Sequence, residues 1–279
     1  MDCSNVQRPS FLSMRQCIVE WREIWVHRDL LWVMTRRELA VRYAGSMAGV
    51  LWAYIQPLLT IGAYFLVFDI VFAMRMGDSA PTSRVGIYLV VGSLPWLAFC
   101  ESLSRGASSL IDAGGLLQKN ALPTVLFVAR SVLAGQVVFV PLILLLAVGY
   151  LNVSRLAWAH LALPCLIIMQ ALLAFLFAHV MAILVAAVRD TVQVLAFALS
   201  VGIFLSPVLF PLHLFPENWR WLLYANPMTA LVIGYQSILL KGAWPEWTVW
   251  AITLGWLLVL TLVLNGLIRR SRDELVDWL

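Results

Sequence analysis

Two carboxylates set in apolar surroundings, Asp69 and Glu101, are of the type that carries ion coupling in membrane proteins. A carboxylate held away from water takes up or releases a proton or cation according to what surrounds it. Asp69 stands near the outer end of the first apolar stretch, within reach of water. Glu101 precedes Arg105 by four residues, an i, i+4 spacing with the acid first that lets the two neutralise each other on one helix face as an intramembrane ion pair. Residue type and spacing leave both a structural role and proton coupling open for these carboxylates.

Other chemistries find no constellation. The histidines, His27, His160, His179 and His213, show neither HExxH nor a paired ligand spacing, and His179 is expected to be a packed, hydrogen-bonded core residue. Cys3, Cys17, Cys100 and Cys165 share no CxxC spacing, which points away from a disulfide framework and from a zinc site. Lys119 and Lys241 are the two lysines, and neither sits in a GxxxxGK[ST] loop, so ATP binding in that mode is not expected. No catalytic residue, metal site or cofactor of the chain's own is expected.

Aromatic residues form a further pattern. Helical spacing puts Tyr54, Ile61, Phe65, Phe68 and Phe72 within a narrow arc of the first apolar stretch, since 11 residues make about three turns. Phe197 and Phe204, in a later apolar stretch, are placed to face it. Such a stripe packs against helices or lipid, or it forms a wall on which the C–H faces of sugar rings stack loosely enough to slide.

The elements that position these residues follow from composition. Of 279 residues, 62% are apolar and 12% charged, about half the charged share of a soluble domain. That leaves too little polar surface to coat a globule in water. The net charge is +4, and the cations lie at the chain ends and in short gaps between apolar runs, a membrane pattern that argues against nucleic acid as partner. Charge-free stretches cover 43–68, 85–100, 131–154, 156–188, 191–216, 221–240 and 247–268. Most reach the roughly 20 residues that cross a hydrocarbon core as a helix. Seven crossings would put the termini on opposite sides, yet both ends are rich in arginine, so one stretch must fail to cross. The weakest is 221–240, which holds Asn226, Pro227, Gly234 and Gln236 and follows Pro207, Pro211 and Pro216.

The expected architecture is therefore an all-α polytopic membrane protein of six transmembrane helices, with an N-terminal amphipathic surface helix and an extracytoplasmic re-entrant helical hairpin before the last span. Residues 1–48 form the cytoplasmic N-terminus and 269–279 a cytoplasmic tail. The spans fall near 49–73, 85–111, 122–152, 157–188, 191–210 and 247–268, and the hairpin spans 210–240. With this topology 13 Lys and Arg lie inside and five in outer loops. Trp219, Trp221, Trp244, Trp247 and Trp250 mark the outer boundary of the last span. The first 48 residues lack a signal peptide's apolar core, so they are expected to remain in the mature chain, with Trp21, Trp25 and Trp32 lying among arginines on the inner leaflet. No internal repeat of the kind found in many secondary transporters is evident.

Four stretches resemble the membrane permeases of ABC transporters that export lipid-linked polysaccharides such as O-antigen, with capsule and teichoic-acid exporters as close relatives. They are ELAVRYAGSMAGVLWAYIQPLL (38–59), GSLPWLAFCESLSRGASSLI (92–111), the VRDT around Arg189 and Asp190, and ANPMTALVIGYQSILL (225–240). Gln236 stands where the resemblance would place a basic residue, and the loop GGLLQKNALP (114–123) is less basic than its usual counterpart.

The resemblance implies a homodimer of six-span subunits in the bacterial inner membrane, N- and C-termini cytoplasmic, forming a channel for lipid-linked polysaccharide. ATP and magnesium would be bound by two copies of a separate cytoplasmic ATPase. The ATPase contacts would lie at Arg36, Arg37 and Glu38 of the surface helix and at Asp112, Leu116, Leu117 and Lys119 of the loop between the second and third spans. An ion-coupled secondary transporter using Asp69 or Glu101 remains the alternative from another class.

Overall fold

A computed structural model describes residues 15–73, 75, 82–119, 122–151 and 158–271. The tail arginine Arg272, Cys3 and the outer-loop Arg155 lie outside the described residues. Among the described residues the chain is helical and no strand is formed.

Two short helices open it, α1 (Arg15–Val26) and α2 (Arg28–Arg42). On α2 the buried residues are Leu31, Thr35 and Leu39, four apart, so one narrow stripe seats the helix on the bundle while Trp32, Arg28, Arg36 and Arg37 face outward. Trp21 of α1 packs its ring 5.4 Å from that of Phe175.

Among the described residues, five helices are long and apolar enough to cross a membrane. The first runs Gly49–Val71, comprising a short 3-10 turn, α3 (Trp52–Phe65) and a π turn, Leu66–Val71. The second is α4 (Val85–Asp112), followed by the one-turn α5 (Gly114–Leu117). Next come α6 (Val125–Leu151) and α7 (Leu163–Ala187), the latter preceded by the 3-10 turn Trp158–Ala162. The last is α11 (Trp247–Ser271), and between α7 and α11 lie α8 (Thr191–Gly202), α9 (Arg220–Tyr224) and α10 (Met228–Lys241).

Helix α4 is the pillar, packed against α3, α6, α7 and α10. Within its apolar window 72% of residues are buried, against 11% for Gly49–Val71 and 22% for α11, so those two helices turn most of their surface outward. Close approach is achieved with small residues, as expected where lipid supplies no hydrophobic drive between helices. A Cβ on Gly106 would sit 2.5 Å from Ala178 Cβ, so at this point α4 and α7 can approach as they do only because the position is glycine.

The expected fifth span at 191–210 holds a helix of 12 residues, about 18 Å long at 1.5 Å per residue, where a hydrocarbon core is about 30 Å. The chain then runs through turns and bends at 203–210. Pro207 brings no backbone donor to that stretch. A Cβ on Gly202 would lie 2.8 Å from the Trp96 ring, so the helix end sits directly on the α4 indole.

Candidate coupling face and polymer path

Helix α10 carries Thr229, Gly234, Gln236 and Ser237 yet packs among α4, α7 and α11, and Gln236 within it and Asn226 just before it answer the broken segment that precedes them. Asn226 Nδ2 donates to the carbonyls of Gly202 (3.0 Å) and Leu205 (3.2 Å), and its Oδ1 accepts from the Met228 N–H (3.0 Å). Gln236 Nε2 donates to Pro207 O at 2.7 Å. The Tyr88 hydroxyl lies 2.8 Å from the same oxygen and 3.1 Å from Phe210 O. Non-helical backbone away from water needs such partners, and here they come from three places in the sequence.

Asp69 is also satisfied internally. The π turn, in which Phe72 N–H donates to Val67 O at 2.9 Å, aims Asp69 inward to the start of α4. There its Oδ1 accepts from the Gly86 N–H (2.9 Å) and its Oδ2 lies 2.8 Å from Arg84 Nε. A carboxylate held by a cation and a backbone donor is a latch between two span ends.

At the end of the molecule bearing α2, Glu101 does meet Arg105, whose Nε contacts Glu101 Oε1, but Arg42 of α2 contacts the same oxygen through Nη1 at 2.9 Å. Beside it Glu38 of α2 pairs with Arg130 of α6 at 3.2 Å and accepts from the Ser131 hydroxyl at 3.1 Å. Both pairs tie the surface helix to the spans. Neither cross-helix partnership is legible in local spacing; the signal available was Arg130 itself, a cation inside an apolar run, which demands a carboxylate from elsewhere.

Of the residues expected at the ATPase contact, Arg37, Glu38, Asp112 and Leu116 line one cavity of about 970 Å³ between α2, α4, α5 and α6. Arg36 and Lys119 are exposed outside that lining. Leu116 is 44% exposed, whereas its neighbour Leu117 is buried against the core. The two leucines therefore do different jobs, one presenting a surface and the other anchoring α5.

The aromatic stripe divides. Tyr54 turns onto α6, its hydroxyl 3.5 Å from Val137 O, and Ile61 packs on the core. Phe65 lies under the Arg84 guanidinium, 5.3 Å from its ring, and Phe68 is 6.2 Å from Phe72. Phe72, Phe197 and Phe204 are largely exposed, Phe197 on α8, which rests on α4 and α7, and Phe204 in the turns that follow it. Arg189 and Asp190 are exposed at the break between α7 and α8.

At the docked surface helix, burial pushes the Glu20 carboxyl up to about 8. Its Oε2 lies 3.6 Å from His179 Nδ1 of α7.

Long apolar helices with a short helix tied to them by ion pairs, and a broken helical segment before the last of them, define an all-helical membrane protein. Residues 29–240 match the ABC-2 type transporter family, and the chain belongs to it. It is similar to the O-antigen export system permease protein RfbA of Myxococcus xanthus, 32% identical over 232 residues that cover 81% of this chain and 85% of that protein. An RfbA of Klebsiella pneumoniae is 24% identical over 217 residues, covering 77% and 81% of the two chains. The polysialic acid transport protein KpsM of Escherichia coli is 24% identical over 248 residues, covering 85% and 91%.

Proposed function

We propose that this chain is the membrane permease of an ABC exporter of lipid-linked polysaccharide of the O-antigen type in the bacterial inner membrane. Two copies form the channel, and two copies of a separate cytoplasmic ATPase, which bind ATP and magnesium, drive it. The observation that carries the reading is the cavity that joins Arg37 and Glu38 of α2 to Asp112 at the end of α4 and Leu116 of α5. A short helix rigidly seated through Leu117, with Leu116 on its open side, suits the docking of a partner whose motion must reach α4 and α6.

The outward faces of Gly49–Val71, α8 and α11 support the dimer, with Phe72, Phe197 and Phe204 as the ring surfaces offered to the polymer and Tyr54, Phe65 and Phe68 setting the angle of the first span. In this reading both termini are cytoplasmic, α8 and the turns after it form the fifth crossing, and α9 with α10 forms the hairpin that dips in from outside. The partners held by Asp69 weigh against ion coupling, since a coupling carboxylate must exchange its partner in each cycle. The similarity to the polysialic acid transport protein makes a capsule exporter the second reading.

Affinity purification of the chain from its native membrane tests the assignment. Recovery of a nucleotide-binding ATPase in equal amount, with loss of surface polysaccharide when the chain is deleted, is the expected result. Recovery without an ATPase, and a deletion strain with normal surface glycan, would refute it.

A further inference from the structure

We propose that Glu101 is a hand-over carboxylate: at rest it ties α2 to α4 through Arg42, and when α2 moves it is left to Arg105, which frees the near end of the first span. The proposal deepens the export reading, and only the source of the force on α2 rests on that reading. Two guanidiniums reach one oxygen, Glu101 Oε1, and they differ in what holds them there. Arg105 lies on α4 with the carboxylate, one turn further on, so it stays beside Glu101 whatever α2 does. Arg42 comes from the last turn of α2 and makes its contact through Nη1 at 2.9 Å.

The tie made by Arg42 is poised to break. Its side chain is 11% exposed, and Nε and Nη2 are buried with no hydrogen-bond partner among the described residues. A guanidinium confined with two of its three nitrogens unserved is held by one contact against a desolvation cost, and it regains water on withdrawing into the cavity of about 970 Å³ that it lines. Without Arg105 that withdrawal would strand Glu101; with Arg105, itself 36% exposed, the carboxylate keeps a cation throughout. The neighbouring tie lacks this provision, which makes it the pivot. Glu38, one turn before Arg42, pairs with Arg130 of α6 at 3.2 Å and accepts from the Ser131 hydroxyl at 3.1 Å, so parting it would strand both charges.

What Arg42 releases is a jointed lever. Beyond it the chain turns through 43–48 into the first span, and Gly45 and Gly49 hold φ of +80° and +52°. A Cβ at either would meet nothing within 4 Å, so glycine is there for backbone conformation and not for room. The hydrogen bonds of this connector join near neighbours, such as Ser46 N–H to Tyr43 O at 3.3 Å and Gly49 N–H to Ser46 O at 3.2 Å, so they travel with it. Along Gly49–Val71 the buried residues are Ala53, Pro57 and Asp69, and Asp69 latches the far end to Arg84 and Gly86. A cavity of about 190 Å³ between α3, α4 and α6, lined by Ala53, Pro57, Arg42 and Glu101, adjoins the near end. With Arg42 tied both ends are fixed; with Arg42 released the span swings on the Asp69 latch and the glycine joint absorbs the change.

The test uses the full chain with its copurifying ATPase in nanodiscs and reads hydrogen exchange of amides 43–51, at rest and during ATP turnover. In the wild type, exchange should rise about threefold with ATP, the size of effect that one partly exposed ion pair carries. Arg105→Gln removes the carboxylate's second partner, so Arg42 holds it undivided. Exchange should then slow about threefold at rest and fail to rise with ATP, and export per ATP hydrolysed should fall several-fold. Arg105→Lys, which restores a cation at the same spacing, should return both. A merely structural Arg105 gives the opposite sign, faster exchange on its loss. Arg42→Gln should exchange at rest as fast as the wild type does with ATP; should it not fold, the two Arg105 variants decide. Unchanged or faster exchange in Arg105→Gln, a folded Arg42→Gln as slow as the resting wild type, or a wild type that ignores ATP would each overturn the proposal. If no ATPase copurifies, the export reading fails, and the resting comparison of Arg105→Gln with the wild type, which needs no nucleotide, decides the hand-over by itself.

Discussion

Asn226 donates a hydrogen bond to the carbonyl oxygen of Gly202 at 3.0 Å, closing the end of one helix with a side chain from the start of another. Its amide also reaches Leu205 O at 3.2 Å, so a single residue answers two carbonyls that the broken segment leaves without helical partners. Asn226→Asp keeps the acceptor used by Met228 N–H and removes both donors. It should destabilise the folded chain by about 1–3 kcal/mol, at about 0.6–1.7 kcal/mol for each membrane-embedded hydrogen bond. Thermal unfolding in detergent reads this directly; an unchanged midpoint would mean that water already serves those carbonyls.

Substitutions at the two leucines of α5 should separate coupling from folding. Leu116→Asp changes a half-open position and should leave stability within about 0.5 kcal/mol while weakening ATPase pull-down and lowering export. Leu117→Asp buries a charge in the core and should cost several kcal/mol and the folded protein with it. Retained ATPase binding and normal export in Leu116→Asp would remove α5 from the coupling path.

For the polymer path, Phe197→Ala with Phe204→Ala is the cleanest pair, because both rings are exposed in the single subunit and support little internal packing. Export should fall several-fold at unchanged expression and unfolding temperature. Should dimer recovery fall in step with export, the rings belong to the subunit contact instead.

The docking of α1 should depend on pH with a definite sign. Glu20 has its carboxyl raised to about 8 when folded, above the ordinary value of 4.5. The unfolded or undocked segment therefore loses its proton first, and docking weakens as pH climbs from 4.5 through 8, with no further loss above that range. Hydrogen exchange of the α1 amides, corrected for the intrinsic pH dependence of exchange, should show greater protection at pH 6 than at pH 9. Glu20→Gln should flatten the difference.

Apolar composition and the spacing of arginines determined by themselves that this chain belongs in lipid, because 12% charged residues cannot coat a protein of this size in water. Local spacing likewise determined that Glu101 and Arg105 can share a helix face, since i, i+4 geometry is a property of the helix alone. What spacing could not supply were the partners from other helices. Arg42 meets Glu101 across 59 residues and Gln236 meets Pro207 across 29, distances at which no helical period speaks. The even arc of aromatics from Tyr54 to Phe72 assumed a regular helix, and the π turn at Leu66–Val71 divides it, turning Asp69 inward and leaving Phe72 outside. Only the tertiary structure decided that turn, because the carboxylate of Asp69 is worth burying solely where Arg84 and the Gly86 N–H wait for it.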